Sequence, residues 1–362
     1  MTLACVALSS CVKNEISTPG QKGVRIGFAS PVMYSTVDTK ANFYGEIGSH
    51  KYEGSATTYT YPQSEDFKIF AVQHVGNLVS WDEATACEFN GQDISYDPSL
   101  DAWAPKNPEN GSYYYWPTGY LLSFAALSPA DLEQGADCRV SYSEAGLEIE
   151  NFEISDSPAG QFDLLFSKRT VNTSSTTMLD DPNYYSGIRI DFKHALTSIH
   201  FAIQKQPEVA EDVVLTGIEL VNVKKKGSFS ENIADDTPYA SDPEWNLDDE
   251  TADYVPFSGE MAFLEQQGQL PKSLLLMPQD LTDDVELHIS YTVVSQQNNI
   301  TKFTKVVKLN TYPSGNPVTK WQIGSRYVYN IVYGTASQKH DVIFFSPSTE
   351  GWVNASTIEI VL

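Results

Sequence analysis

Short stretches in which apolar and polar residues alternate recur along the whole chain, separated by Gly, Pro, Asn and Asp. Val24, Ile26 and Phe28 alternate with Arg25, Gly27 and Ala29. That period of two puts one row of side chains on a single face of a strand. The same pattern predicts strands over 67–72, 113–116, 120–127, 140–142, 147–149 and 162–166. Further on it predicts strands over 188–192, 198–203, 213–223, 257–263, 273–277, 285–294, 303–309, 326–332, 342–345 and 357–361. Helical periodicity is nearly absent, and only 129–134 suggests a short helical turn. Many short strands at turn-like intervals point to an all-β chain built from β-sandwiches rather than to a parallel α/β sheet.

The stretch 170–183 is rich in Thr, Ser and Asp and ends in Asp180-Asp181-Pro182. Such composition breaks strands, so it marks the expected domain boundary. The expected organisation is a leader and tether over 1–22, one sandwich domain over 23–180 and a second over 187–362.

Charge narrows the function. Lys and Arg number 23 against 47 Asp and Glu, a net charge of −24. An acidic surface repels phosphate backbones and anionic lipid, so no nucleic acid partner is expected and any membrane attachment needs a lipid anchor. Twenty Tyr and 17 Phe belong to strand-rich composition.

The N-terminus carries a candidate anchor. An apolar run over 3–8 leads into Leu8-Ser9-Ser10-Cys11, where small residues before a Cys resemble a bacterial lipobox. Acylation of the Cys11 thiol, with cleavage before it, is the expectation. Only Met1 and Thr2 precede the apolar run, whereas a secretory peptide carries a basic n-region, so further residues are expected upstream. The polar stretch 12–23, with Pro19 and Gly20, reads as a tether. Beyond Cys11 the cysteines are Cys87 and Cys138, either a disulfide in an oxidising compartment or two buried thiols.

Catalytic patterns are missing: there is no Gly-rich phosphate loop, HExxH, CxxC or GxSxG. His194 and His200 lie near one strand, neither has a spaced carboxylate or Cys partner, and both read as structural. Asp180-Asp181 and Asp248-Asp249-Glu250 lack EF-hand spacing and read as solvated loops. Tyr113-Tyr114-Tyr115-Trp116 reads as core packing before sugar stacking. No catalytic, cofactor or metal site is therefore expected.

Several local patterns follow one another along the chain. They are Tyr115-Trp116-Pro117 with Leu122-Ser123-Phe124-Ala125-Ala126, then Phe162-Asp163-Leu164-Leu165-Phe166, then Ile190-Asp191-Phe192-Lys193-His194-Ala195-Leu196-Thr197-Ser198-Ile199-His200-Phe201. Leu274-Leu275-Leu276-Met277-Pro278-Gln279-Asp280-Leu281 follows, then Trp321 with Gly324-Ser325-Arg326-Tyr327-Val328-Tyr329-Asn330, and finally Trp352. Together these patterns resemble the Bacteroidales fimbrillin family of type V pilins and adhesins.

The resemblance implies a transthyretin-like topology for both sandwiches, lipoprotein export to the outer membrane and cell surface, and assembly with other pilin subunits by strand exchange. It also implies removal of the first strand, here 23–29, by a protease cutting after it. Lys40 is the expected site and Lys51 the next, although the family's processing is associated with Arg. The strand lent to a neighbour is expected at 356–362, with Ile358, Ile360 and Leu362 on its apolar face, and a second inserted strand at 341–346. The alternative is a non-polymerising surface lipoprotein or tip adhesin that binds host glycan or protein. On the anchor reading, Cys11→Ser releases the protein from membrane fractions; a variant that stays membrane-bound contradicts it.

Overall fold

A computed structural model of the chain describes residues 26–29, 31–34, 43–47, 50–54, 58–75, 81, 84, 86–98, 101–105, 114, 116–117, 119–132, 137–167, 169–173, 188, 190–233, 242–312, 317–334 and 353–361. The first half contributes β1 (Val32–Tyr34), β2 (Phe43–Ile47), β3 (His50–Gly54), β4 (Thr58–Thr60), β5 (Phe67–His74) and β6 (Ala86–Asp97). β7 (Ala102–Pro105), β8 (Leu121–Ser128), β9 (Arg139–Ser143), β10 (Gly146–Glu153), β11 (Leu165–Ser167) and β12 (Thr170–Thr173) follow. The second half adds β13 (Asp191–His194), β14 (Thr197–Lys205), β15 (Asp212–Lys224), β16 (Lys226–Ser230), β17 (Glu244–Leu247) and β18 (Thr251–Ala262). The last strands are β19 (Gly268–Gln269), β20 (Leu274–Leu276), β21 (Glu286–Val294), β22 (Ile300–Lys308), β23 (Ser325–Tyr333) and β24 (Val353–Val361). Among the described residues the fold is all-β, with no α-helix.

The largest sheet runs β4-β1-β13-β11-β8-β5-β6-β7, with β12 also on β8. Its central strands are buried on both faces, which is why β5 and β8 read as near-continuous apolar runs and not as simple alternation. One face, with Phe67, Ile69, Phe124 and Leu165, closes a core with Ile26, Phe28, Tyr61 and Trp103. The other face, with Phe70, Val72, Leu127 and Phe166, faces the sheet β17-β16-β10-β9. Ring contacts join those layers: Phe70 stacks on Tyr142 at 5.4 Å and Phe166 meets Phe229 at 5.1 Å. That smaller sheet takes β9 and β10 from before the Thr/Ser-rich stretch and β16 and β17 from after it.

Two further sheets, β19-β14-β23-β24 with β20 on β14, and β18-β15-β21-β22, enclose the rest of the second core. Tyr291 of β21 and Tyr333 of β23 touch across it at 5.9 Å. Local ties set the strand ends. The Trp321 indole N–H donates to the Tyr329 hydroxyl at 2.9 Å, and the Tyr327 hydroxyl donates to the Lys320 carbonyl at 3.1 Å.

Three of the patterns that carry the family resemblance, those around Asp163, His194 and Leu275, lie where the layers meet. The buried Asp163 Oδ2 lies 2.7 Å from His194 Nδ1. This corrects the reading of His194 as lacking a carboxylate: the partner lies 31 residues away and is brought in by β11 pairing with β13. The Trp245 indole donates to the Ala195 carbonyl at 2.7 Å, and the Leu275 amide donates to Gln161 Oε1 at 2.9 Å. Gln279 closes the seam, accepting from the Lys224 amide at 3.1 Å. Each of these groups would cost about 1–3 kcal/mol if buried without its partner.

His200 is buried between Ser198 Oγ, 3.0 Å from Nε2, and Arg326 Nη2, 3.3 Å from Nδ1. Arg only donates, so Nδ1 accepts and the proton sits on Nε2. Burial first, and the Arg326 charge second, hold the His200 pKa well below its ordinary value. In the unfolded chain the imidazole takes a proton near pH 6.5, whereas the native one does not. The contribution to stability is thus complete above about pH 6.5 and falls below it, by up to about 1.4 kcal/mol per pH unit. Urea melts from pH 7 to 5 are expected to show that loss, and His200→Gln to reduce it; an unchanged slope contradicts the assignment.

Candidate assembly site

The segment 26–34 enters the N-terminal core between partners on both sides. Ile26 and Phe28 are buried, at 1% and 0% exposure, and the phenyl ring of Phe28 packs edge-on against Phe124 at 5.7 Å and Phe67 at 6.2 Å. On one side the Phe28 amide donates to the Trp103 carbonyl at 2.8 Å, and the Trp103 amide returns a bond to Phe28 at 3.3 Å. On the other side the Ala29 amide donates to the Ile188 carbonyl at 2.9 Å, and the Ile188 amide to the Gly27 carbonyl at 2.8 Å. The Ile26 amide reaches the Tyr114 carbonyl at 2.9 Å.

Pairing with Trp103 is antiparallel and pairing with Ile188 is parallel. The parallel run continues as β1 against β13, Val32 opposite Asp191 and Met33 opposite Phe192, while β4 pairs antiparallel on the far side of β1. Since β7 is the end of the large sheet and β13 lies five strands away, the segment joins the sheet to itself. It is the closing stave of the N-terminal layer.

The slot is apolar. Tyr61 anchors its floor, its ring 5.4 Å from Trp103 and 5.5 Å from Phe192. Its hydroxyl lies 2.8 Å from Ser128 Oγ and 3.0 Å from the Asp66 carbonyl, and its amide donates to the Pro31 carbonyl at 2.9 Å. Burial pushes the Tyr61 phenol far above its ordinary range, so the hydroxyl stays neutral. Trp116 packs on Phe124 at 6.0 Å and Tyr114 on Phe89 at 5.1 Å, which places these two aromatics in the core and not on a sugar-binding surface.

The sequence-predicted positions distribute as follows. Ile26 and Phe28 lie in the slot, while Val24 falls outside the described residues. Cys11, Lys40, Leu362 and the segment 341–346 also fall outside them. Lys51 lies on β3, whose sole partner among the described residues is β2. Both lysines therefore follow β1 and precede β4 in the chain. Ile358 and Ile360 lie on β24, at the edge of its sheet, opposite Tyr329 and Ile331 in parallel pairing with β23. Cys138 is half-buried against the larger core, and Cys87 lies on β6 opposite Val72. Asp249 and Glu250 meet Lys224 at 2.7 Å and Lys225 at 3.2 Å. The two flanks of the slot, Trp103 and Ile188, were not anticipated: both sit in short strand-like stretches, but nothing in either stretch names its neighbour.

An all-β chain closed by its own first strand belongs to the class of layered β proteins, in which a strand is bound by main-chain bonds and alternating pockets. Residues 54–352 match the fimbrillin-like family, and the chain belongs to that family. The family is one of fimbrial adhesion proteins and is non-enzymatic. A fimbrial protein from Bacteroides vulgatus shares the fold, with a TM-score of 0.52 and 16% identity over 81% of this chain and 91% of its own. A protein from Bacteroides uniformis, named for cell adhesion, aligns with a TM-score of 0.46 and 12% identity over 95% of this chain and 98% of its own. No curated protein matches the chain.

Phe28→Ala in the uncut chain is expected to cost about 3–5 kcal/mol, the range for an aromatic deleted from a packed core. Gly27→Ala is the control: its added Cβ would lie 3.6 Å from the Trp103 carbonyl, an ordinary contact, so little change is expected. Denaturant melts of the two variants check this, and equal stabilities contradict the close fit at Phe28.

Proposed function

We propose that the chain is a subunit of a cell-surface pilus, exported as a lipoprotein through Cys11 and assembled by donor-strand exchange into the slot now held by 26–34. The observation that carries this reading is the two-sided slot. Its occupant is bonded to Trp103 on one side and to Ile188 on the other, and is joined to the rest of the chain through the stretch that contains Lys40 and Lys51. A cut at either lysine leaves 26–34 held by non-covalent contacts alone.

The C-terminal strand suits the vacancy. β24 is nine residues long, and so is the stretch 26–34. A donor must run parallel to β13, and β24 already runs parallel to its neighbour β23. Among the described residues β24 is bound on one side only, whereas the slot offers two. Ile358, Ile360 and Leu362 repeat the alternation of Val24, Ile26 and Phe28, so one row of side chains can replace the other. Burial contributes roughly 1.5–3 kcal/mol for each such side chain, and main-chain bonds about 1 kcal/mol each. Ordering the donor costs about 1–2 kcal/mol per residue, so exchange depends on the slot being shaped in advance. The two sandwich domains, the transthyretin-like topology and the second donor segment at 341–346 belong to the same reading.

Truncation after Trp352 is expected to leave a folded monomer that no longer forms fibres. N-terminal sequencing of surface-assembled protein is expected to begin after Lys40 or Lys51. Fibres from the truncated chain place the donor elsewhere. A mature start at Cys11 or residue 12 contradicts the release of the first strand, and a truncated chain that unfolds favours a stand-alone or tip adhesin.

A further inference from the structure

The sheet β18-β15-β21-β22 ends in two strands of opposite character. β22 carries Lys302, Lys305 and Lys308 and no acidic residue. Lys308 pairs with Asp283 at 3.2 Å, whereas Lys302 and Lys305 make no ion pair among the described residues. β18 carries Asp253 and Glu260, followed by Glu265, and the stretch 251–265 contains no Lys or Arg.

Exposed apolar surface gathers at the same two edges. Of the six large hydrophobic side chains exposed among the described residues, Ile300 (68%), Phe303 (38%) and Val306 (48%) lie on β22. Val255 (48%) lies on β18; Leu264 (61%) lies past its end, where its carbonyl accepts from the Lys205 amide of β14 at 2.7 Å. Phe303 extends the core side of the sheet, stacked on the buried Tyr291 at 5.3 Å with part of its ring in solvent. An open edge that shows apolar side chains is a template for another strand.

We infer that β22 of one subunit pairs with β18 of a second copy of this chain. Every step across the sheet is antiparallel, so β22 and β18 run in opposite directions. A second copy placed beside β22 in the same orientation therefore continues the antiparallel alternation across the boundary. The lysines decide which pairing is allowed. β22 against β22 sets lysine against lysine, and β18 against β18 sets carboxylate against carboxylate; only the unlike pairing is attractive. A contact between two different edges does not close on itself, so it generates an open row of subunits. The contact uses neither 26–34 nor β24, and is independent of strand exchange.

Sedimentation velocity on the purified, uncut chain tests this. Association is expected to rise with concentration beyond the dimer and to weaken as salt rises. Lys302→Glu with Lys305→Glu, and separately Glu260→Lys with Glu265→Lys, are each expected to weaken it about tenfold or more. Mixing the two variants is expected to restore it, because each acidic edge then meets a basic one. Circular dichroism checks that both variants fold, and Lys302→Gln with Lys305→Gln replaces the first pair if it does not. A wild-type chain that remains monomeric to about millimolar concentration, a closed dimer, or a mixture that stays apart overturns the inference.

Discussion

The N-terminal layer depends on one strand that is bonded on both sides. Phe28 of 26–34 bridges the Trp103 edge and the Ile188 edge of the largest sheet, and its ring packs on Phe67 and Phe124 behind it. The pairing toward Ile188 and β13 is parallel. A parallel partner cannot arrive through a tight turn, so it must come from a remote part of the chain or from another chain. Here it comes from 26–34, remote in sequence from the β13 that it pairs with.

The rest of the molecule is tied together differently. The larger core runs from Phe70 and Leu127 in the N-terminal sheet, through Tyr142, Phe229 and Trp245, to Leu276, Tyr291 and Tyr329. Buried polar groups fix the layers along it: the Asp163–His194 pair, the Gln161 and Gln279 carboxamides, and the Trp245 indole. These contacts cross between strands far apart in sequence, so they resist local opening. The closing stave is held by main-chain bonds and by the buried Ile26, Phe28 and Pro31.

Element type was legible in the sequence because side-chain periodicity reports burial directly. Ile188, Ile190 and Phe192 alternate, and the structure buries all three. The stretch 120–127 read as a strand, and the structure forms β8 there, buried along nearly its whole length. Pairing was not legible. Alternation says which face of a strand is buried but not which strand lies beside it, so neither the Ile188 flank nor the bond from Asp163 to His194 could be read from local spacing. The meeting of β10 with β16 escaped for the same reason, since that register depends on the whole fold. Charge was visible only as a total of −24; that the lysines of β22 lie on an edge opposite the acidic β18 needed the sheet order.

Native-state hydrogen exchange reads the central claim most directly. The amides of Phe28, Ala29 and Ile188 report the stave, and those of Phe124 and Ala126 the sheet behind it. If 26–34 is a replaceable stave, the first set exchanges through a partial opening, at lower free energy and with a smaller dependence on denaturant than the second. Exchange of both sets only through global unfolding, with one common denaturant slope, would contradict the account.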